Sequence, residues 1–89
     1  MEDDLDAHVY WPPSPPRRYK LTCGRLPART WSLGIVEGDS VDLQQTWERP
    51  GAVSTEALLA WLEPLTFEAA ARSMVARMAG SHPELFDAS

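Results

Sequence analysis

The sequence predicts an α+β domain in which a three-stranded antiparallel meander is covered on one face by two C-terminal helices. Three observations carry that prediction. Apolar residues recur at alternate positions in three short runs between Tyr19 and Trp47, and at helical spacing from Leu58 onward. Turn-forming Gly and Pro residues separate these runs. A sheet with one apolar face needs a cover, and only the C-terminal helices offer one.

The first run, residues 17–23, alternates Tyr19, Leu21 and Cys23 with Arg18, Lys20 and Thr22, the pattern of a half-buried strand. Residues 24–28, with Gly24 and Pro27, read as a turn. The second run, 30–36, sets Trp31, Leu33 and Ile35 against Thr30, Ser32 and Gly34. The third, 41–47, places Val41, Leu43 and Trp47 on one face and Asp42, Gln44 and Thr46 on the other. Between them Glu37-Gly38-Asp39-Ser40 is a hairpin signal.

Two registers compete in that hairpin. A two-residue Gly38-Asp39 loop pairs Val36 with Val41 and sets Ile35 opposite Asp42, which puts the two apolar sets on opposite faces. A three-residue Gly38-Asp39-Ser40 loop pairs Ile35 with Leu43 and Trp31 with Trp47. A slip of one residue flips every side chain, so the three-residue loop is the one that builds a single apolar face.

After a Pro50-Gly51 loop, Ser54 or Thr55 can cap a helix over 55–63 that carries Leu58, Trp61 and Leu62 and stops at Pro64. Thr66 is the expected cap of a second helix, 66–79, with Phe67, Ala70, Ala71, Met74, Val75 and Met78 along one stripe. Glu68 lies in its first turn, where the helix dipole favours an anion, and is four residues from Arg72. Gly80 is its expected stop, and Leu85 and Phe86 are expected to fold back on the body.

The first sixteen residues differ in kind. Glu2, Asp3, Asp4 and Asp6 precede His8-Val9-Tyr10-Trp11, and Pro12, Pro13, Pro15 and Pro16 then hold the backbone near polyproline II. The domain organisation read from this is an acidic, proline-rich arm over 1–16 and a single α+β domain over 17–89. Pro12 to Arg17 also fits the PxxPxR spacing that SH3 domains bind, with a stiff linker as the plainer use.

Composition narrows the function. A chain of 89 residues has length for one core. Its one cysteine, Cys23, cannot form an internal disulfide, and no apolar run approaches the roughly 20 residues that span a bilayer. The acidic N-terminus is unlike a secretory signal, so no membrane association and a reducing, cytoplasmic location are the expectation. Seven arginines to one lysine, abundant alanine and no asparagine read like the output of a GC-rich bacterial, phage or plasmid genome.

Chemistry finds little purchase. His8, His82 and Cys23 have no metal-ligand spacing, and no nucleophile elbow, phosphate loop or dinucleotide fingerprint occurs. No metal, cofactor or catalytic residue is therefore expected, and the chain reads as a non-enzymatic protein. The charge map says more. Between four early acids and an acidic second half, Arg17, Arg18, Lys20, Arg25 and Arg29 form a basic stretch within a net charge of −5.

The resulting expectation is a small protein that inhibits or modulates a larger protein or nucleoprotein assembly. A phage- or mobile-element inhibitor of a host defence system (an anti-CRISPR) is one instance, and an immunity protein or antitoxin has the same profile. Trp11 and Trp47 are the candidate interface anchors, with Glu37, Asp39, Asp42 and Glu48 as the acidic contacts. The alternative is a nucleic-acid-binding regulator acting through Arg17, Arg18, Lys20, Arg25 and Arg29. An edge strand ending at Trp47 also allows a homodimer.

Overall fold

The computed structural model describes residues 7–13, 16–24, 29–49 and 51–87. It is an α+β fold, with β1 (Ala7–Trp11), β2 (Arg17–Cys23), β3 (Thr30–Glu37), β4 (Ser40–Glu48), α1 (Thr55–Leu62) and α2 (Glu68–Ser81), followed by a short 3-10 turn at Pro83–Leu85. The strands form one antiparallel sheet in the order β1-β2-β3-β4.

The sheet therefore has four strands, not three. Residues 7–11 are not part of a free arm but an edge strand, in which Ala7 pairs with Cys23 and Trp11 with Tyr19. The signal was present in the sequence, because Ala7, Val9 and Trp11 alternate with His8 and Tyr10. The Trp11–Pro12 peptide is cis. Glu2, Asp3, Asp4 and Asp6 lie outside the described residues, as do Ser14 and Pro15 of the PxxPxR segment.

The β3–β4 hairpin uses both competing registers. Near the tip the loop has two residues, with Glu37 opposite Ser40, Val36 opposite Val41, Ile35 opposite Asp42 and Gly34 opposite Leu43. Between Leu33 and Gly34 the register shifts by one, and Leu33 then faces Gln45 while Trp31 faces Trp47. The expected Trp31–Trp47 pair forms, whereas the expected Ile35–Leu43 pair and three-residue loop do not. Gln44 is the extra residue of a β-bulge, which changes the phase of β4 halfway along its length. Gly38 supplies the positive φ, 61°, that this tight turn needs.

The bulge decides where the apolar residues of β4 point. Trp47 lies on the face shared with Trp31, Leu21 and Leu33, but Val41 and Leu43 lie on the other face, contrary to the single-face expectation.

The helices cover one side. Leu58 and Leu62 of α1 and Ala70, Ala71, Met74, Val75 and Met78 of α2 bury against Leu21, Cys23, Trp31 and Leu33. Trp31 is wholly buried, and its indole N–H has no hydrogen-bond partner among the described residues. Ser54 caps α1 by accepting from the Ala57 amide at 3.1 Å. Thr66 does not cap α2: its hydroxyl donates to the Leu62 carbonyl at 2.9 Å, and Phe67 takes the cap position in extended backbone with no side-chain hydrogen bond. Gly80 does not stop α2, which runs to Ser81 and ends where His82 precedes Pro83. A residue before proline is pushed out of the α region, and that outweighs the glycine signal here.

The C-terminal segment returns as expected. Leu85 is buried, and Val53 bridges Phe86, with the Asp87 amide donating to the Val53 carbonyl at 2.9 Å.

Candidate interaction surface

Alternation along the strands places a second set of side chains on the face away from the helices. β1 contributes His8 and Tyr10, β2 contributes Arg18, Lys20 and Thr22, β3 contributes Ser32, Gly34 and Val36, and β4 contributes Val41, Leu43 and Thr46. Two cross-strand rows matter. One runs from Arg18 through Val36 to Val41, and the other from Tyr10 through Lys20 and Gly34 to Leu43.

The β1–β2 half of this face is aromatic and cationic. The Arg18 guanidinium lies over the Tyr10 ring at 4.4 Å from its centroid, the Lys20 ammonium is 5.8 Å from the same centroid, and His8 meets Tyr10 edge-on at 5.5 Å. Arg18 Nε is buried without a hydrogen-bond partner among the described residues. The negative face of the Tyr10 ring offsets part of that loss and holds the cation against the sheet.

The β3–β4 half is aliphatic. Val36 is buried between its neighbours, while Val41 and Leu43 are 61% and 59% exposed. Two adjacent aliphatic side chains left this open on a small domain are the kind of patch that marks a contact surface.

The residues expected to bind are dispersed by comparison. Trp47 is half-buried on the helix side, stacked on Trp61 at 5.4 Å with Arg49 over it at 5.1 Å. Trp11 is half-buried and meets Phe67 edge-on at 5.4 Å. Both tryptophans therefore already have partners within the chain. Glu37, Asp39 and Asp42 are exposed around the hairpin tip, and Glu48 lies at the other end of β4, roughly 20 Å away at the rise of an extended strand.

The basic residues also separate. Arg18 and Lys20 share the helix-free face, Arg17 belongs to the opposite face, and Arg29 precedes β3 at the far end. Arg25 lies outside the described residues. Sequence reasoning missed Tyr10, Val41 and Leu43 as surface residues. The doubled polar pair Gln44-Gln45, which breaks the alternation of β4, is the signal that could have found the last two.

Cys23 is buried, with its thiol donating to the Gly24 carbonyl at 3.6 Å. Among the described residues no cluster of three His, Cys, Asp or Glu side chains could hold a metal ion, and no helix is long and apolar enough to cross a membrane. No family model, curated protein or solved structure matches this chain.

Proposed function

We propose that this chain is a small non-enzymatic binding protein that modulates a larger protein or nucleoprotein assembly, docking through the helix-free face of its sheet. The supporting observation is the exposed Val41 and Leu43 pair on the same sheet face as Arg18 and Lys20, with one strand between, and with both cations held on the Tyr10 ring. Such a surface suits a protein segment that sets apolar side chains on Val41 and Leu43 and carboxylates on the two cations. The finer reading, a phage- or mobile-element inhibitor of a host defence system, an immunity protein or an antitoxin, rests on size, acidity and residue usage alone.

A second reading has its own observation. Tyr10 flanked by two cations on an open sheet resembles a stacking platform for single-stranded nucleic acid. Against it stand the separation of the basic residues and the net charge of −5. Pairing of two copies through β4 has less support. The bulge at Gln44 and the charges of Asp42 and Glu48 are features that discourage edge-to-edge pairing.

The test is a pull-down with the tagged protein from lysate of a GC-rich bacterium, at low and high salt, beside the Leu43→Asp and Arg18→Glu/Lys20→Glu variants. The proposal expects a stoichiometric protein retained at high salt by the parent and lost by Leu43→Asp. Nucleic acid alone, stripped by salt and lost only with the charge reversals, would replace it with the second reading.

A further inference from the structure

A cleft of about 310 Å³ opens on the helix side of the sheet, at the hairpin-tip end away from Trp47. Trp11, Pro12, Arg17, Tyr19, Ile35 and Phe67 line it, together with Arg18. We propose that this cleft binds an aromatic carboxylate, with the ring among Trp11, Tyr19 and Phe67 and the carboxylate at Arg17. The ring and carboxylate positions are on the other side of the sheet from Val41 and Leu43 and do not depend on their role, although Arg18 borders both surfaces.

The aromatic half of the argument begins with Phe67. It occupies the cap position of α2, where Ser, Thr, Asp or Asn would satisfy free amides, and it makes no cap hydrogen bond. Its φ of −157° is extended backbone that any residue adopts, so local structure does not call for phenylalanine. Yet the ring is 47% exposed, meeting Trp11 edge-on at 5.4 Å and Tyr19 at 6.3 Å. Edge-to-face contacts leave ring faces free for a further ring. The volume is at the small end of ligand sites, which begin at about 300 Å³, and suits a single ring system better than a large ligand.

The ionic half rests on Arg17. It is exposed at the start of β2 and belongs to no ion pair among the described residues. The positive end of α2 begins at the cleft wall with Phe67, whose side chain makes no cap hydrogen bond. Glu37 sits opposite Arg17 across the β2–β3 ladder, and Asp42 sits opposite Ile35. These acids on the same side of the sheet repel a phosphate or polyanion more than a singly charged carboxylate.

An aromatic carboxylate can arrive as a free small acid or as the C-terminal phenylalanine of a peptide. Isotope-labelled full-length protein is therefore titrated with 3-phenylpropionate, 3-phenylpropionamide, and acetyl-Gly-Gly-Phe with either a free or an amidated C-terminus, followed by amide and indole NMR shifts. The expected shifts are confined to the Trp11 indole and the amides of Tyr19, Ile35 and residues 67–70. Each acid should bind about tenfold tighter than its amide. Arg17→Gln should abolish that preference, while Phe67→Ala weakens acid and amide alike. A tighter peptide acid assigns the site to a chain terminus, and a tighter phenylpropionate assigns it to a free acid. Equal affinity for acid and amide, a preference that survives Arg17→Gln, or no cleft shift at millimolar probe would overturn the proposal.

Discussion

Leu33 and Leu43 are the same residue type on neighbouring strands of one sheet, yet one is wholly buried and the other is mostly exposed. Leu33 faces the helices beside Trp31 and Leu21, whereas Leu43 faces away beside Gly34. The covered face is a stability device, where apolar area removed from water adds up against chain entropy. On the open face, the aliphatic side chains of Val41 and Leu43 remain largely in water. The two faces of the sheet thus hold aliphatic residues in opposite environments.

The contrast can be tested by where substitutions act. Leu33→Ala should cost about 2–5 kcal/mol in urea unfolding followed by tryptophan fluorescence, since it leaves a cavity in the buried core beside Leu21. A loss below about 1 kcal/mol would mean the covered face is not the organising core. Deleting Gln44 should cost about 3 kcal/mol, because β4 could no longer place Leu43 outward and Trp47 inward at the same time. An unchanged unfolding midpoint for that deletion would show that the bulge is incidental.

Smaller effects should come from the open face. Arg18→Ala should cost about 1 kcal/mol, through loss of the Tyr10 contact and exposure of Val36. Leu43→Ser should change stability by less than about 0.5 kcal/mol, the range of ordinary surface positions, while still weakening capture of a partner. A large stability loss for Leu43→Ser would erase the distinction between the two faces.

The two edges of the sheet differ as well. On β1, which is short, Arg77 of α2 donates to the Tyr10 carbonyl at 2.9 Å, occupying an edge acceptor. The longer β4 has no such cover among the described residues. There the Gln44 side chain donates instead to the carbonyl of Asp42 in its own strand, at 3.2 Å. One edge is closed by packing, and the other is broken up by an irregularity.

Much of this architecture was legible in local pattern. The strands over 17–23 and 30–36, the Ser54 cap, the core stripe of α2 and the Glu68–Arg72 pair, 3.0 Å apart, all follow from spacing and capping chemistry. Periodicities of 2 and 3.6 are imposed by backbone geometry over a few residues, so they can be read without the rest of the molecule. Thr66 and Gly80 failed as helix boundaries because neighbours competed for the same role. The Leu62 carbonyl took the Thr66 hydroxyl, and Pro83 set the end of α2.

The candidate surface was not legible, for a reason particular to β4. Val41, Leu43 and Trp47 share one parity in the sequence; the Gln44-Gln45 pair hints at a break between them, but the pairing with β3 is what fixes one extra residue there and reverses the side. The sequence by itself determined which residues are apolar, how far each run extends and that the sheet has a helical cover. The tertiary structure alone decided which apolar residues the cover reaches. Face assignment in a strand is relative to its partner, and the register of that partnership depends on packing across the whole sheet.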